Sequence, residues 1–397
     1  MNHALKSCQW PYQISGAGHQ KWAGPDLHFL ARMASDWFSG AQEGAVRVSV
    51  STQHKKPTVR DVAREAGVSL ATVDRVLNGR AGVRATTREK VEKAVATLNY
   101  TRDVSASLLA RAKTVKVHFL LPGGANPFME NLAAAIRSHT QTHEENRTNI
   151  EITRIAALDP SALCNAIDKL GLQNCDCAII VATDDESVRK SIDRACVKGV
   201  HVITLVSDNP ASKRARFVGI NNIAAGRTAG SLMGRFCTPG ARIGLVVGSM
   251  GLRDHRERFM GFHDLVLEEF PGLDLVGPVE GFDDTHETAK RTRELLTDYP
   301  DLAGIYSMGA GNAGIISTLS DLGRARSIRV IAHELTGDTI EGLRAGVVDV
   351  VLDQNSQAEV AMAIGLARQI IAGAELPQEN KSIDIGLFLR DNLNLPG

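Results

Sequence analysis

The chain has no uncharged apolar run approaching the about 18–20 residues that a membrane-spanning helix requires, so no membrane partner is expected. Its first thirty residues hold no apolar leader core, so export is not expected and the cytoplasm is the expected compartment. Cysteine is sparse and unpatterned. Cys8, Cys164, Cys175, Cys177, Cys196 and Cys237 form neither a CxxC pair nor a regular framework, which argues against a disulfide-built fold. Cys175 and Cys177 flank Asp176 on one face of an apolar strand. No His or Cys set follows at ligand spacing, so they are read as reduced buried thiols and no metal is expected. The chain also lacks net charge, with 45 basic against 45 acidic residues. Its 397 residues, 43% hydrophobic and 23% charged, suit a soluble protein of two or three domains.

The zero balance conceals a division. Residues 55–114 hold 13 Lys and Arg against 6 Asp and Glu, residues 1–54 hold 4 against 3, and residues 115–397 hold 28 against 36. A small basic unit ahead of a larger acidic one suits a nucleic-acid reader fused to a module that does not touch nucleic acid. Residues 1–54 are rich in Gly, Ser, His and Gln and contain Trp10, Trp22 and Trp37, with one helical candidate around Asp26–Trp37. They read as a flexible extension or an overlong translated start, and no function attaches to them.

From residue 55 the pattern sharpens. Thr58 is an N-cap with Asp61 in the first turn, Val62, Ala63 and Ala66 mark one helix face, and Gly67 stops the helix. Ser69 caps a second helix, Leu70–Leu77, which Asn78-Gly79 ends. Thr86 or Thr87 starts a third, with Val91, Ala94, Val95 and Leu98 as its stripe. Two short helices joined by a tight glycine-containing turn are a helix-turn-helix. In the second, Val73, Val76 and Leu77 can pack, while Leu70, Ala71, Thr72 and Arg75 face outward. Ser69 and Thr72 suit phosphate contacts, Arg75 a guanine edge, and Leu70 and Ala71 thymine methyls.

After Val115 the period changes. Apolar strands such as VKVHFLLP, CAIIVAT, RIGLVVG and RVIAHE alternate with helical stretches in two successive series. Repeated β–α units imply parallel sheets with right-handed crossovers. Two short series imply two similar lobes that aim their strand ends at one cleft, where open α/β sheets bind ligands.

The segment TVRDVAREAGVSLATVDRVLNGRAGVRATTREKVEKAVATLNY resembles the DNA-binding headpiece of the LacI/GalR family, with the AGVS, ATV and RVLN elements intact. Asp74 departs from the usual Ser, an acid that needs a partner such as Arg75 or Arg80 beside phosphates, and Arg102-Asp103 replaces the usual Pro-Asn. The resemblance adds Thr58, Asn78, Arg84 and Thr87 to the DNA-facing set. It makes Val104–Lys113 a hinge helix whose Leu109, or Leu108 after a one-residue shift, wedges into the minor groove and kinks the duplex. It makes residues 115–397 a periplasmic-binding-protein-like effector domain. One lobe is expected at about 115–221 and 355–380, the other at about 222–354 and 381–397.

The same resemblance carries over cleft residues: Asn126 and Phe128 after the first strand, and Ser207 and Asp208 after the fourth. It adds Asn222 at the first crossover, Arg258 in ERFMGF to hold a hydroxyl pair or carboxylate, and Gln354 at the second crossover. Gly309-Ala310 stand where the family usually has Asn-Asp, with Asn312 as a substitute, and Glu334 after His333 stands where it usually has Asp. The expectation is an α/β protein with an all-α helix-turn-helix head. It would be a homodimer, or a tetramer, on a pseudo-palindromic operator, a repressor gated by a sugar, polyol or sugar acid. Whether the effector induces or co-represses is open at this level.

Two rival readings share these residues. Gly309-Ala310-Gly311-Asn312-Ala313-Gly314 matches GxGxxG after a strand, with Glu334 twenty positions beyond the last glycine. About sixty residues follow Glu334, too few for a doubly wound sheet, and no motif places a nucleophile beside a base or a hydride-transfer histidine. An NAD-dependent oxidoreductase is therefore the weaker reading, and neither an enzyme nor a cofactor is expected. A transporter's solute-binding protein would lack the DNA-reading head.

Overall fold

The computed structural model describes residues 57–77, 81–98, 100, 114–142, 148–374, 376 and 382–393. The extension 1–54, Asn78, Arg80 and the hinge segment with Leu109 lie outside the described residues.

The head contains α1 (Val59–Ala66), α2 (Leu70–Leu77) and α3 (Ala85–Thr97). Thr58 and Asp61 start α1 reciprocally: the Thr58 amide donates to Asp61 Oδ2 at 2.8 Å and the Asp61 amide to Thr58 Oγ1 at 3.4 Å. This capping box satisfies donors that a helix start leaves orphaned. Gly67 ends α1 at φ 64, a left-handed conformation in which glycine carries no Cβ penalty. The turn it makes presents Ser69, whose hydroxyl accepts from the Thr72 amide at 3.1 Å. Val62, Val73, Val76, Val91, Ala94 and Tyr100 close a small core between the helices. Helix α3 begins at Ala85, one or two residues before the expected start. Arg84 occupies its cap position without a side-chain hydrogen bond.

The remaining chain forms two sheets. The first has order β2-β1-β3-β4-β5, from β1 (Val115–Pro122), β2 (Thr148–Ile155), β3 (Cys177–Ile180), β4 (His201–Leu205) and β5 (Arg216–Val218), all parallel. Helices α4 (Pro127–Thr142) and α12 (Ser356–Ile371) cover one face, and α5 (Pro160–Asp168) and α6 (Glu186–Val197) the other. The second sheet has order β11-β10-β9-β8-β6-β7. It comprises β6 (Arg242–Val247), β7 (Asp274–Glu280), β8 (Leu302–Ser307), β9 (Arg329–His333), β10 (Val350–Asp353) and β11 (Gly386–Phe388), of which only β11 runs antiparallel to its neighbour. Helices α7 (Asn222–Phe236) and α8 (Arg253–Glu269) pack on one face. Helices α9 (Thr285–Asp298), α10 (Asn312–Asp321) and α11 (Gly337–Ala345) pack on the other. The chain passes between the sheets near Ile220–Asn222, at Gln354–Asn355, and near Ile383, which bridges to Ile220. Among the described residues no helix is long and apolar enough to cross a membrane.

Two elements of the second lobe, β7 and α9, do not stand out in the sequence. Gly277-Pro278 interrupts the apolar run of β7 and reads as a turn. Between Gly244↔Val276 and Val246↔Val279 the strand carries an extra residue, and β7 is an edge strand. An edge tolerates proline because its missing N–H removes no interior ladder bond.

Helices α7 and α8 approach through glycine. A Cβ on Gly226 would lie 2.1 Å from the Arg258 carbonyl oxygen, and one on Gly261 would lie 2.1 Å from that of Ile223. Both clashes are with backbone, so a side chain can be relieved only by separating the helices. Gly261→Ala is expected to destabilise the effector domain by about 2–3 kcal/mol, as overpacking of a dense interior does. Urea unfolding checks this: a midpoint equal to that of the parent protein would mean that the helices can part freely.

Candidate functional site

On the head, the first turn of α2 is the exposed element. Leu70 is 46% exposed, one of several large apolar side chains at the surface. Ser69, Ala71, Asp74 and Arg75 are exposed beside it, and Thr72 is half-buried with its hydroxyl 2.9 Å from that of Ser69. Val73 and Val76 point the other way, into the core. Thr58 is exposed, but its hydroxyl is committed to Asp61 Oδ2 at 2.7 Å. Arg84 is exposed at the start of α3 and Thr87 is half-buried. The helix-turn-helix thus sorts apolar side chains inward and leaves one polar, cationic and partly apolar edge outward.

The second site lies beyond the carboxyl ends of the strands in both lobes, a cleft of about 210 Å³. It collects loops after β1, β2, β3, β4, β6, β7 and β8, together with Glu334 after β9 and Gln354 after β10. The residues there include Asn126, Phe128, Ser207, Arg258, Glu334 and Gln354 from the sequence-based set. Asn126 also caps α4, accepting from the amides of Phe128 at 3.0 Å and Met129 at 3.3 Å. Its side-chain amide donates across the cleft to Asp283 Oδ2 at 3.3 Å. On another side, Asp184 of the first lobe meets Arg256 and, at 3.5 Å, Arg253 of the second.

Arg258 anchors the floor. It is only 1% exposed, and Nε donates to Asn222 Oδ1 at 2.9 Å while Nη1 donates to the Met308 carbonyl at 2.9 Å. Its remaining nitrogen, Nη2, lies 3.4 Å from Glu334 Oε1, which also accepts from Gln354 Nε2 at 2.6 Å. Burial pushes the Glu334 carboxyl up to about 8, outweighing the attraction of Arg258. Beneath lie Phe262 and Tyr306, stacked at 4.6 Å, and His333, whose Nε2 is 2.9 Å from the Tyr306 hydroxyl. Burial drives His333 well below its ordinary value, so this ring is neutral.

Three residues expected in the cleft stand behind it. Asp208 is turned away, accepting from Thr204 Oγ1 at 2.6 Å and from Arg214 Nη2 at 2.5 Å. Asn222 orients Arg258 rather than lining the cavity. Asn312 turns inward, donating to the His333 carbonyl at 3.1 Å, so it does not replace the polar pair missing at Gly309-Ala310. Asp208 and Asn222 are held by partners in the surrounding chain, and Asn312 is held through its side-chain amide while its Oδ1 is buried without a hydrogen bond.

Other cleft residues were not anticipated: Asp159, Asp254, His255, Phe282, Asp283 and Asp284. Phe282 and Asp283 follow β7 and both have positive φ, 53 and 57. Such backbone costs about 1 kcal/mol or more per non-glycine residue and concentrates at functional sites. Asp283 Oδ1 offsets part of that cost by accepting from the Ala310 amide at 2.8 Å. β7 has no continuous apolar run, so the loop it carries does not stand out in the sequence either.

The GxGxxG glycines serve packing. A Cβ on Gly309 would lie 2.7 Å from the Gly248 nitrogen, and one on Gly314 would lie 2.3 Å from the Thr285 carbonyl oxygen. Glu334 faces Arg258. Cys175 and Cys177 are buried free thiols, and burial pushes Cys175 up to about 12. Among the described residues no group of three or more His, Cys, Asp or Glu is arranged to hold a metal.

Comparison with known proteins agrees with this architecture. The periplasmic binding protein domain family matches residues 117–375, and the family of bacterial regulatory proteins of the lacI type matches residues 58–103. The chain belongs to the periplasmic binding protein domain family and carries a LacI-family helix-turn-helix domain ahead of that domain. Catabolite control protein A of Streptococcus mutans is 46% identical over 79 residues, 20% of this chain and 24% of that protein. The protein of the same name from Priestia megaterium is 40% identical over 89 residues, 22% of this chain and 27% of its own length. The similarity therefore spans about a quarter of these relatives.

Among solved structures, a solute-binding protein of Burkholderia graminis in complex with D-arabinose superposes with TM-score 0.66 at 22% identity, covering 71% of this chain and 98% of that one. A glucose-galactose binding protein of Geobacillus stearothermophilus gives 0.65 at 19%, covering 71% and 100%. A candidate LacI transcriptional regulator of Bacteroides fragilis gives 0.64 at 16%, covering 71% and 99%. At these identities the likeness concerns the fold.

Under the cleft, Glu359 of α12 is fully buried, and neither carboxylate oxygen has a protein partner. Burial pushes its carboxyl well above the ordinary 4.5; Glu334, Asp353 and Asp254 push the same way, and Arg258 opposes them. The folded chain therefore holds a proton that the unfolded chain releases above its ordinary value. Stability from this group is complete at low pH and is lost as pH rises from about 4.5, by up to about 1.4 kcal/mol per pH unit. Glu359→Gln removes that loss. Thermal unfolding between pH 5 and 8 should show a variant whose advantage over the parent grows with pH, and a constant difference would place a charged Glu359 in the fold.

Proposed function

We propose that the protein is a DNA-binding transcriptional regulator, a repressor, whose operator affinity is set by a small polyhydroxylated effector held between the two lobes. One observation carries this reading: a LacI-family helix-turn-helix with an exposed Leu70–Arg75 edge shares a chain with a cleft of buried, unpartnered polar atoms. Arg258 Nη2, Glu334 Oε2 and Gln354 Oε1 all lack a hydrogen-bond partner there. Buried polar groups are nearly always hydrogen-bonded, so such atoms suit a ligand that completes them. The solute-binding relatives of the fold include proteins crystallised with D-arabinose, D-allose and alpha-D-tagatopyranose. That range supports a sugar or polyol.

In this reading the protein works as a homodimer on a pseudo-palindromic operator, each head taking a half-site. Residues 55–114 form the DNA-binding unit. Ser69 and Thr72 meet phosphate, Arg75 meets a base edge, and Leu70 and Ala71 meet thymine methyls. Arg84 and Thr87 add backbone contacts, and Leu109 acts as a minor-groove wedge. Effector binding strengthens the contacts between lobes, as Asn126–Asp283 and Asp184–Arg256 already do, and the lobe movement changes how the heads are held. DNA and effector then share one coupling free energy, and each alters the affinity of the other by the same factor. No catalytic role is assigned, and the cytoplasm is the compartment this function requires.

Arg75→Ala should weaken binding to an operator selected from random DNA and relax its preference at one base pair by about 1–3 kcal/mol. Gel-shift titration against the selected site and its single-base variants checks this, and an unchanged preference would remove Arg75 from base reading. Arg258→Ala should abolish the response of operator binding to effector. A normal response in a reporter strain would move the effector site elsewhere.

A further inference from the structure

We infer that the cleft admits uncharged polyhydroxylated effectors and rejects those bearing a carboxylate, with Glu334 as the residue that sets this selection. The inference rests on the effector reading above and narrows its ligand class.

The first support is the way Arg258 is used. A guanidinium takes a carboxylate tightly when two adjacent N–H groups form a fork. Here Nε is spent on Asn222 and Nη1 on the Met308 carbonyl, each at 2.9 Å. Only Nη2 lacks a hydrogen-bond partner, and Glu334 Oε1 stands 3.4 Å from it. Two of the five guanidinium N–H groups are engaged in this way, and the Nε–Nη2 edge cannot act as a fork because Nε is taken. The N–H groups on Nη2 face Glu334 Oε1, so a carboxylate would compete with Glu334 for them.

The second support is charge. Among the cleft residues Arg258 is the only Lys or Arg, while Asp159, Asp254, Asp283, Asp284 and Glu334 are acidic. Asp159, Asp283 and Asp284 also accept from backbone amides. Five carboxyl groups thus line the cleft against one guanidinium. Asp254 and Glu334 are each 4% exposed, so water screens them little.

The third support is the inventory of unpartnered atoms. Asp254 Oδ1, Glu334 Oε2 and Gln354 Oε1 are acceptors, Arg258 Nη2 is a donor, and the Ser207 and Thr183 hydroxyls can be either. Ligand hydroxyls both donate and accept, so a polyol can complete all of these atoms. A ligand carboxylate only accepts, so it would set oxygen against oxygen at the Gln354 side-chain carbonyl and, above pH about 8, at Glu334. A glutamate achieves this at position 334 because its length reaches both Arg258 and Gln354.

The test is titration calorimetry of the full chain at pH 9, where Glu334 is ionised, with D-arabinose, D-galactose, D-glucose and myo-inositol, and with D-arabinonate, D-galacturonate and D-gluconate. The expected result is that a neutral compound binds and its acid counterpart binds about a hundredfold more weakly, the scale of juxtaposed like charges. Glu334→Gln keeps the length of the side chain and removes the charge it can carry. It should narrow that ratio about tenfold or more, mainly by admitting the acid. An acid that binds the parent protein as tightly as its neutral counterpart would overturn the inference while leaving the effector reading intact. A ratio unchanged in Glu334→Gln would overturn the role of Glu334. If no compound binds, the polyol effector reading itself falls, and the selectivity with it. The ratio for the parent protein does not depend on whether the variant folds.

Discussion

The buried guanidinium of Arg258 ties the effector domain together. It sits on α8, reaches Asn222 at the start of α7 and the Met308 carbonyl after β8, and faces Glu334 after β9. A cation so deeply buried is tolerated only when its donors are occupied, because desolvating an unpaired charge costs several kcal/mol. Its position therefore constrains two helices and two strand ends at once. The same contacts leave one nitrogen towards the cleft, so the group that organises the floor also limits what can bind there.

The close approach of α7 and α8 follows from the same constraint. Glycines at 226 and 261 let the two backbones meet near Arg258 and Ile223, which brings Asn222 within reach of the guanidinium. Around this pair, chain crossovers near Ile220, Gln354 and Ile383 join lobes that otherwise have separate sheets. Contacts such as Asn126–Asp283 and Asp184–Arg256 span the gap between them through polar side chains. Polar contacts exchange readily with water, so an interface of this kind can open and close without loss of either sheet.

The head illustrates local legibility. Thr58, Asp61, Gly67 and Ser69 each act through residues within a few positions, so cap, stop and turn could be read directly, and the inward set Val62, Val73, Val76 and Val91 followed from period. In the effector domain the alternation of strands and helices was equally plain, because strands buried on both faces leave continuous apolar runs. The edge strand β7 escaped because it is half-exposed and broken by Gly277-Pro278. With it went the loop that brings Phe282 and Asp283 to the cleft. Asp208, Asn222 and Asn312 lie where the resemblance put them in sequence, but their side chains point to Arg214, Arg258 and the His333 carbonyl.

The family resemblance put Arg258, Glu334 and Gln354 at one cleft, and the sequence by itself determined the class of each unit, the helix-turn-helix and the parallel two-lobed fold. These depend on period, capping and connection rules that act over short stretches or recur along the chain. Only the tertiary structure decided how the nitrogens of Arg258 are shared, which carboxylates surround it, and which expected ligands of the cleft serve as its supports. Those outcomes depend on side-chain direction and on partners more than thirty positions apart, such as Asn222 and Arg258. A pattern along one chain does not carry that information.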